Sequence, residues 1–427
     1  MKWLLRGFLA LLVLLVVGVA WWLFAQHHAA LPPSRTTAAK LQDQQLIARG
    51  AYLATLGDCA ACHTAQGGKP YAGGRALPTP FGDVPAPNLT PDDATGLGQW
   101  SFDAFWRALH EGVGRDGHAL YPAFPYTSYT RVSRQDAFAL FAYLRSLPPV
   151  RSETGSPSLR FPYDLRASLA TWRTLYFRPG EFVPDPKQSA EWNRGAYLVQ
   201  GLGHCNECHV ARDNLGGLPK GETLTGGQIP AQNWYAPDLS TRAHGGLEGW
   251  SADDIVALLK TGQSVKGAAF GPMADVVTQS TQHMHDDDLR AIATYLQSLP
   301  PRPARAGGGS QVDATALISR GDKLYAQQCA GCHGKDGQGV AGVYPPLAAN
   351  ASVTEPTGIN AIRVVLLGGF APTTTAHPRP YSMPPFAQQL SDADVAAVVS
   401  YIRHAWSNGA SPVMERDVAT YRHTPVQ

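Results

Sequence analysis

Three short motifs of the form CxxCH recur along the chain. They read CAACH at residues 59–63, CNECH at 205–209 and CAGCH at 329–333, and together they contain all six cysteines. No cysteine is therefore left over for a disulfide framework. Two cysteines one helical turn apart, followed directly by histidine, are typical of haem c attachment, because the two sulfurs form thioethers with the porphyrin and the histidine binds the iron.

Two other kinds of site also use CxxC pairs, namely a zinc site and a thioredoxin-like redox pair. A zinc site would have to combine pairs from different parts of the chain and would leave the histidines unexplained. A redox pair is expected once, in a βαβ setting. Three copies in a helical context therefore favour three covalently attached haems c. The predicted attachment residues are Cys59, Cys62, Cys205, Cys208, Cys329 and Cys332, and the predicted proximal iron ligands are His63, His209 and His333.

The motifs belong to three repeats that share one order of features. A helical segment precedes each motif, beginning at Arg49, Arg194 and Arg320. A second helical segment follows, beginning at Trp100, Trp250 and Gly358, and each repeat ends in an amphipathic helix that begins at Ser133, His285 and Ser391. The loops between them are rich in Gly and Pro and show no sustained alternation of apolar and polar residues. The predicted fold class is all-α, with three tandem cytochrome c-type domains and long Gly/Pro-rich loops.

The repeats and their spacers set the predicted domain boundaries. Pro148-Pro149 and Pro300-Pro301 end the last helices of the first two repeats, because proline lacks the backbone donor and clashes with the preceding turn. The predicted domains are repeat one at residues 40–150, repeat two at 188–301 and repeat three at 312–407. Three further segments are a linker with a helix at 151–187, a flexible hinge at 302–311, and an extended or disordered C-terminal tail at 408–427.

The N-terminal segment is strongly apolar. Residues 7–26 carry no charge and follow Lys2 and Arg6, and their length is enough to cross a hydrocarbon core of roughly 30 Å as a helix. Basic residues before the span indicate an N-terminus on the inner side of the membrane. A cleaved signal peptide is the alternative, although its apolar region is normally shorter, about 7 to 15 residues. With residues 1–28 as anchor or signal sequence, we expect a location at the cell inner membrane with the haem domains on the periplasmic side.

Iron in a helical c-type domain usually takes its sixth ligand from a loop before the last helix, and methionine in that place raises the reduction potential. Of the five methionines in the chain, Met273 in GPMADV and Met383 in YSMPPF stand in such loops, after the CxxCH motif and ahead of the last helix of their repeats. They are the predicted sixth ligands, with simple core packing as the alternative. Met284 and Met414 lie too near or beyond the last helices and are assigned to packing or to the surface.

Repeat one has no methionine between residues 40 and 150, and Phe124 occupies the corresponding position before the last helix. A phenyl ring cannot bind iron. His118 lies six residues upstream, and a six-residue segment spans up to about 20 Å, so His118 is the candidate ligand of the first haem. The alternatives are a five-coordinate or water-bound iron shielded by Phe124, and ligation by His110 or another residue.

The composition excludes several function classes. The net charge is +2 and 16% of the residues are charged, so no basic stripe indicates nucleic-acid binding. No Ser-His-Asp grouping, phosphate loop or carboxylate pair indicates another active site. Iron bound by His and Met has no vacant position for a substrate, so the sequence predicts an electron carrier that performs no substrate chemistry itself. An independent periplasmic shuttle to a terminal oxidase and a haem enzyme with an open first iron are the alternatives.

Four stretches give the chain a specific resemblance. They are RGAYL before CAACH and CNECH, LYPAFPYTSY from Leu120, APDLS from Ala236, and PRPYSMPPFAQQLSDADVAAVVSYIR from Pro378. In the order of these four stretches, the chain resembles the three-haem cytochrome c subunit of bacterial membrane-bound dehydrogenases. This family includes the cytochrome subunits of dehydrogenases that act on alcohol, gluconate and sorbitol. The resemblance implies a separate catalytic subunit, of quinoprotein, flavin or molybdopterin type, and electron flow to ubiquinone in the cytoplasmic membrane.

One stretch departs from the alcohol dehydrogenase pattern. Many cytochrome subunits of alcohol dehydrogenases read more like LYPAMPY, where this chain has LYPAFPY from Leu120. The phenylalanine form is similar to the cytochromes that accompany molybdenum hydroxylases acting on aldehydes, nicotinate or isoquinoline. The resemblance therefore leaves open both the type of catalytic partner and the sixth ligand of the first haem.

Overall fold

The computed structural model describes residues 41–221, 223–242, 245–300 and 314–424, together with 29–32 and a few positions nearer the N-terminus. The predicted anchor or signal sequence and the predicted hinge lie almost entirely outside these residues. Within the described part of the chain, no helix is both long enough and apolar enough to cross a membrane.

The chain forms two compact units. The first contains Met1–Leu53 and Cys62–Phe182, and the second contains Ala54–Ala61 and Val183–Gln427. Repeats two and three both fall in the second unit. The division into three separate domains therefore stays a prediction.

Repeat one and its linker consist mainly of helices joined by long loops. The helices are α1 (Gln44–Leu56), α2 (Cys59–His63), α3 (Phe102–Glu111), α4 (Tyr126–Tyr129), α5 (Arg134–Ser146) and, in the linker, α6 (Arg166–Tyr176). The strands β1 (Ala76–Thr79), β2 (Gly82–Pro85) and β3 (Ser158–Leu159) form one antiparallel sheet in that order. The hydroxyl of Ser133 accepts a hydrogen bond from the backbone N–H of Asp136 and so caps α5 at the residue where the sequence predicted its start.

Repeat two has the same order of helices. They are α7 (Ala190–Gln200), α8 (Asn206–His209), α9 (Ala252–Thr261), α10 (Pro272–Gln279) and α11 (Asp286–Gln297), with a 3₁₀ turn at Thr281–His283. Three antiparallel strand pairs lie in its loops: β4 (Gly227–Ile229) with β5 (Trp234–Ala236), β6 (Thr241–Arg242) with β7 (Gly245–Gly246), and β8 (Gln263–Ser264) with β9 (Gly267–Ala268). The helix α10 was not predicted, and Met273 lies in its first turn rather than in an irregular loop. Pro272 suits the start of a helix, because its missing N–H is not needed there.

Repeat three ends with a helix in place of the predicted irregular tail. Its helices are α12 (Thr315–Gln328), α13 (Ala330–His333), α14 (Ala351–Thr354), α15 (Ile359–Leu367), α16 (Asp392–His404) and α17 (Glu415–Arg422), and its strand pair is β10 (Gly369–Phe370) with β11 (Ser382–Met383). The prediction of an extended or disordered tail was wrong for α17. This helix is mostly polar, but it buries Val418 completely, and Arg422 donates hydrogen bonds to the carbonyls of Ala387 and Leu390 at 2.6 and 3.0 Å. Tertiary contact, rather than a strong apolar pattern, stabilises it.

The first and last helices of each repeat cross at a glycine. A Cβ atom added to Gly50, Gly195 or Gly321 would lie 1.9, 1.9 or 2.1 Å from a backbone oxygen of the last helix. The preceding arginine forms an ion pair with an aspartate in the first turn of that helix, in the pairs Arg49–Asp136, Arg194–Asp288 and Arg320–Asp394. The RG sequence therefore fixes the helix crossing in all three repeats, since only glycine lets the backbones approach so closely.

The described residues are mostly helical, but the all-α prediction is too simple. Short antiparallel strand pairs lie in the loops of every repeat. Each strand is two to four residues long. Strands of that length show no recognisable alternation of apolar and polar residues, which is why the sequence did not predict them.

Candidate haem-binding sites

Each CxxCH motif forms one turn of helix that places its two cysteines and its histidine together. In the first motif, α2 spans both cysteines and His63. In the other two, the histidine backbone N–H donates to the carbonyl of the first cysteine, at 2.9 Å for His209 and 3.0 Å for His333. None of the six cysteines is joined in a disulfide, and Cys62 and Cys332 are exposed. The thiols are therefore available for covalent attachment of a porphyrin.

A proline carbonyl orients the ring of each of these histidines. The Nδ1 atoms of His63, His209 and His333 lie 2.8, 2.7 and 3.0 Å from the carbonyl oxygens of Pro87, Pro237 and Pro345, respectively. A carbonyl only accepts hydrogen bonds, so Nδ1 carries the proton and Nε2 keeps its lone pair. A donor bond of this kind fixes the tautomer and the ring orientation of a metal-binding histidine. In all three repeats Nε2 is therefore the ring nitrogen that can bind iron.

A glycine in a left-handed conformation completes this arrangement in every repeat. The backbone N–H groups of Gly73, Gly226 and Gly339 donate to the carbonyls of His63, His209 and His333, each at 2.8 Å. The φ values of the glycines are +73°, +75° and +67°. A Cβ atom at Gly73 would lie 2.6 Å from the carbonyl carbon of Pro87, so the glycine also lets the proline segment approach the histidine. Neither the prolines nor the glycines were predicted from the sequence.

The electrostatics of these turns favour metal ligation over thiol redox chemistry. Burial lowers the pKa of His63, His209 and His333, which keeps the rings neutral as a metal ligand requires. Burial raises the pKa of the Cys205 thiol to about 12 and that of Cys329 to about 11. A catalytic redox pair needs the opposite shift, towards a thiolate at neutral pH. In the ranges that the structure describes, no three His, Cys, Asp or Glu side chains converge as a zinc site would need.

The two predicted methionine ligands lie in different local structures. Met273 is partly buried in the first turn of α10. Met383 lies in β11, opposite Gly369, and packs against the hydrophobic core of repeat three. Met284, by contrast, is 3% exposed and follows the 3₁₀ turn, in keeping with a packing role. Ligation of iron by Met273 and Met383 stays a prediction.

In repeat one, His118 and Phe124 make contacts with different neighbours. Phe124 packs against Tyr129, with ring centroids 5.3 Å apart. His118 is exposed, and its Nδ1 lies 3.2 Å from a carboxylate oxygen of Asp116 in the same turn. His110 stacks on Trp106 at 4.5 Å inside α3. The structure therefore holds both histidines in contacts of their own, and the sixth ligand of the first haem stays open.

These features define the class of protein. A CxxCH turn with a histidine oriented by a carbonyl, set between two helices that cross at a glycine, is a c-type cytochrome domain. The family model described as "Cytochrome c" matches residues 47–148, 193–300 and 318–406. The chain belongs to the cytochrome c family, and this membership implies covalently bound haem c.

Curated relatives are cytochrome subunits of dehydrogenases. The chain is 39% identical over 401 residues to the cytochrome c subunit of the quinone-dependent alcohol dehydrogenase of Gluconobacter oxydans, covering 90% of this chain and 83% of that one. It is 39% identical over 406 residues to the gluconate 2-dehydrogenase cytochrome c subunit of Pantoea cypripedii, covering 90% of this chain and 92% of that one. These relatives confirm the predicted resemblance to cytochrome c subunits of dehydrogenases.

A third relative is much longer than this chain. The chain is 45% identical over 369 residues to a subunit of the nicotinate dehydrogenase of Pseudomonas putida, and the match covers 85% of this chain. It spans only 30% of the length of that relative.

Proposed function

We propose that this chain binds three haems c covalently and carries electrons from the catalytic subunit of a dehydrogenase to ubiquinone. Haem iron supplies one-electron chemistry by changing between its ferric and ferrous states. The observation that carries the proposal is the triple occurrence of one arrangement: a CxxCH turn whose histidine is fixed through Nδ1 by a proline carbonyl. Three such sites on one chain suit stepwise electron transfer better than three separate active sites.

The residues of repeats two and three suit electron transfer without substrate binding. His209 and His333 would hold the iron from one side, and Met273 and Met383 from the other. With both sides of the iron held by protein in this way, no position would remain for a substrate. Methionine ligation also raises the reduction potential, which favours accepting electrons from a reduced catalytic subunit.

The catalytic partner that we propose is a molybdopterin enzyme. Two observations favour it over a quinoprotein or flavoprotein: Phe124 in the LYPAFPY stretch, and the 45% identity to the nicotinate dehydrogenase subunit. The location that we propose is the periplasmic face of the cell inner membrane, because residues 7–26 form an uncharged segment behind Lys2 and Arg6.

The test is purification of the full chain, carrying a C-terminal affinity tag, in mild detergent. We expect a large subunit to co-purify and the substrate of that subunit to reduce the haems. Metal and cofactor analysis of the large subunit distinguishes molybdopterin from flavin and quinone cofactors. The same purification from cells with the untagged chain is the control. A cytochrome that purifies alone and accepts no electrons from a dehydrogenase contradicts the proposal and supports an independent shuttle.

A haem enzyme with an open first iron is the second candidate. It is favoured by Phe124, which packs on Tyr129 in the position where the other repeats have a methionine. Carbon monoxide binding to one haem of the reduced protein would support this function. Three haems that all remain low-spin and do not bind carbon monoxide would exclude it.

A further inference from the structure

A short hairpin holds the proximal histidine of repeat two from both of its ends. Its strand β4 begins at Gly227, next to Gly226, whose backbone N–H donates to the carbonyl of His209 at 2.8 Å. Its strand β5 ends at Ala236, next to Pro237, whose carbonyl oxygen lies 2.7 Å from Nδ1 of His209. One end of the hairpin thus binds the backbone of His209 and the other end orients its ring. A displacement of β5 therefore changes the orientation of the predicted iron ligand.

The outer edge of β5 is bound by a side chain of repeat three. The side-chain amide of Asn360 donates to the carbonyl of Tyr235 at 2.8 Å, and its oxygen accepts from the backbone N–H of Tyr235 at 3.0 Å. These bonds use the edge that faces away from β4, because alternate residues of a two-stranded antiparallel pair turn both backbone groups outward. Asn360 is 2% exposed and lies 125 residues further along the chain. Its amide therefore takes the place of a third strand.

The helix that carries Asn360 makes two further contacts with β5. The guanidinium carbon of Arg363 lies 4.6 Å from the ring centroid of Trp234, a distance at which the charge is attracted to the face of the ring. Val364 packs against the buried cluster that contains Trp234. Arg363 and Val364 follow Asn360 by three and four residues, so the three side chains share one face of α15. The helix therefore packs on β5 as a whole, and Asn360 adds the two bonds that fix the backbone of the strand.

Repeat one holds the corresponding hairpin in a different way. There β1 and β2 lie between Gly73 and Pro87, which contact the carbonyl and the Nδ1 atom of His63. The outer edge of β2 pairs with β3 of the linker, and Gly82 lies opposite Leu159. The same edge is thus covered by a strand in repeat one and by an asparagine side chain in repeat two. Repeat two takes this support from another haem-binding repeat.

We propose that Asn360 is a positioning residue for the haem of repeat two. It holds β5 in place, keeps the carbonyl of Pro237 on His209, and so makes the reduction potential of that haem depend on repeat three. The inference rests on the proposed attachment of haem c. A bond donated by Nδ1 to a carbonyl raises the basicity of a histidine ligand, and a more basic ligand favours ferric iron. Loss of Asn360 weakens this bond, so the potential of the haem in repeat two rises.

Gln282 provides a matched control between the same two repeats. Its side-chain amide donates to the carbonyl of Thr373 at 3.2 Å and accepts from the backbone N–H of Thr375 at 3.1 Å. As at Asn360, one side-chain amide makes two bonds to the backbone of the other repeat. Gln282, Thr373 and Thr375 all lie outside the hairpin that holds His209. Gln282→Ala therefore removes a similar contact between repeats two and three and leaves the bonds to β5 in place.

The test is protein-film voltammetry of the purified full-length chain with Asn360→Ala and Gln282→Ala. Alanine is the best helix former, so Asn360→Ala does not weaken α15 itself. A double variant, Cys205→Ser with Cys208→Ser, lacks the haem of repeat two and identifies its wave. In Asn360→Ala we expect that wave to move to higher potential by about three- to tenfold in the equilibrium constant, up to ~59 mV for a one-electron couple. The wave of repeat one stays in place, and Gln282→Ala leaves all three waves unchanged.

Three results overturn the proposal. The first is a wave of repeat two that stays in place or moves to lower potential in Asn360→Ala. The second is an equal shift of that wave in Gln282→Ala, which would indicate a general loosening between the repeats. If Asn360→Ala does not fold, Asn360→Ser is measured in the same way, because its hydroxyl is too short to make both bonds, and an unchanged wave in that variant is the third. A wild-type chain that purifies with fewer than three haems contradicts the proposed function instead, so the two failures differ.

Discussion

Replacement of Gly321 by alanine tests the helix crossing on which each repeat depends. A Cβ atom at this position would lie 2.1 Å from the carbonyl oxygen of Ala397 and 2.7 Å from Cβ of Tyr401. Ordinary contact begins at 3.4 Å, so α12 and α16 would have to move apart. The backbone of α12 cannot shift at this point without displacing α16, and the backbone of α16 cannot shift without displacing α12.

The expected loss of stability follows from two opposing effects. Forcing extra volume into a packed interior costs typically about 1–3 kcal/mol. Alanine gains about 1 kcal/mol over glycine in a helix interior. Because the contact at 2.1 Å is with a backbone atom, the upper end of the packing cost applies, and we expect a net loss of about 2 kcal/mol. Because the ring of Tyr401 packs on Tyr325 at 5.4 Å across this crossing, the loss is not relieved by a local side-chain movement.

Hydrogen–deuterium exchange measured by mass spectrometry resolves this loss within one repeat of the full chain. A loss of about 2 kcal/mol corresponds to exchange roughly 30-fold faster in α12 and α16. Gly331→Ala is the control, because nothing lies within 4 Å of its added Cβ and repeat one has Ala61 in that place. Unchanged exchange in Gly321→Ala, or an equal effect of Gly331→Ala, would refute the packing argument.

Four further substitutions test the ion pairs and the first haem site. Asp136→Asn removes a carboxylate that is 4% exposed and bonded to Arg49 at 2.6 Å, and should cost about 1–2 kcal/mol in thermal unfolding. Asp103→Asn removes an exposed ion pair with Arg134 and should lower the free energy of unfolding by at most about 1 kcal/mol. An equal loss in Asp103→Asn and Asp136→Asn would contradict the role of burial. His118→Ala should leave the electron paramagnetic resonance spectrum of the first haem unchanged, because His118 is exposed in its own turn; a new high-spin signal would show that His118 is the ligand. Phe124→Met should give that haem a methionine ligand and a higher potential, and an unchanged spectrum would mean that residue 124 is not in the ligand position.

The sequence predicted those parts of the fold that depend on short, regular patterns. The CxxCH turns need only five consecutive residues, and the last helices follow from their amphipathic pattern, beginning at Ser133 and Ser391 as predicted. The RG pair also marked the first helix of each repeat. The structural role of this pair is seen only in the folded protein. There the glycine allows the two helices to cross closely, and the arginine pairs with an aspartate far away in the sequence.

The parts that escaped prediction depend on contacts between distant residues. The prolines that orient the histidines follow them by 24, 28 and 12 residues, so no fixed spacing marks them. The helix α17 is stabilised by burial of Val418 and by bonds from Arg422, not by its own composition.

The proposed function requires one chain to hold three covalently bound haems, one at each CxxCH motif. The most direct test is the mass of the intact chain under denaturing conditions, compared with the mass expected from its sequence. We predict an increase equal to three haems, together with the loss of one haem in a variant whose Cys329 and Cys332 are both replaced by serine. A wild-type chain that carries two haems or fewer would contradict the claim.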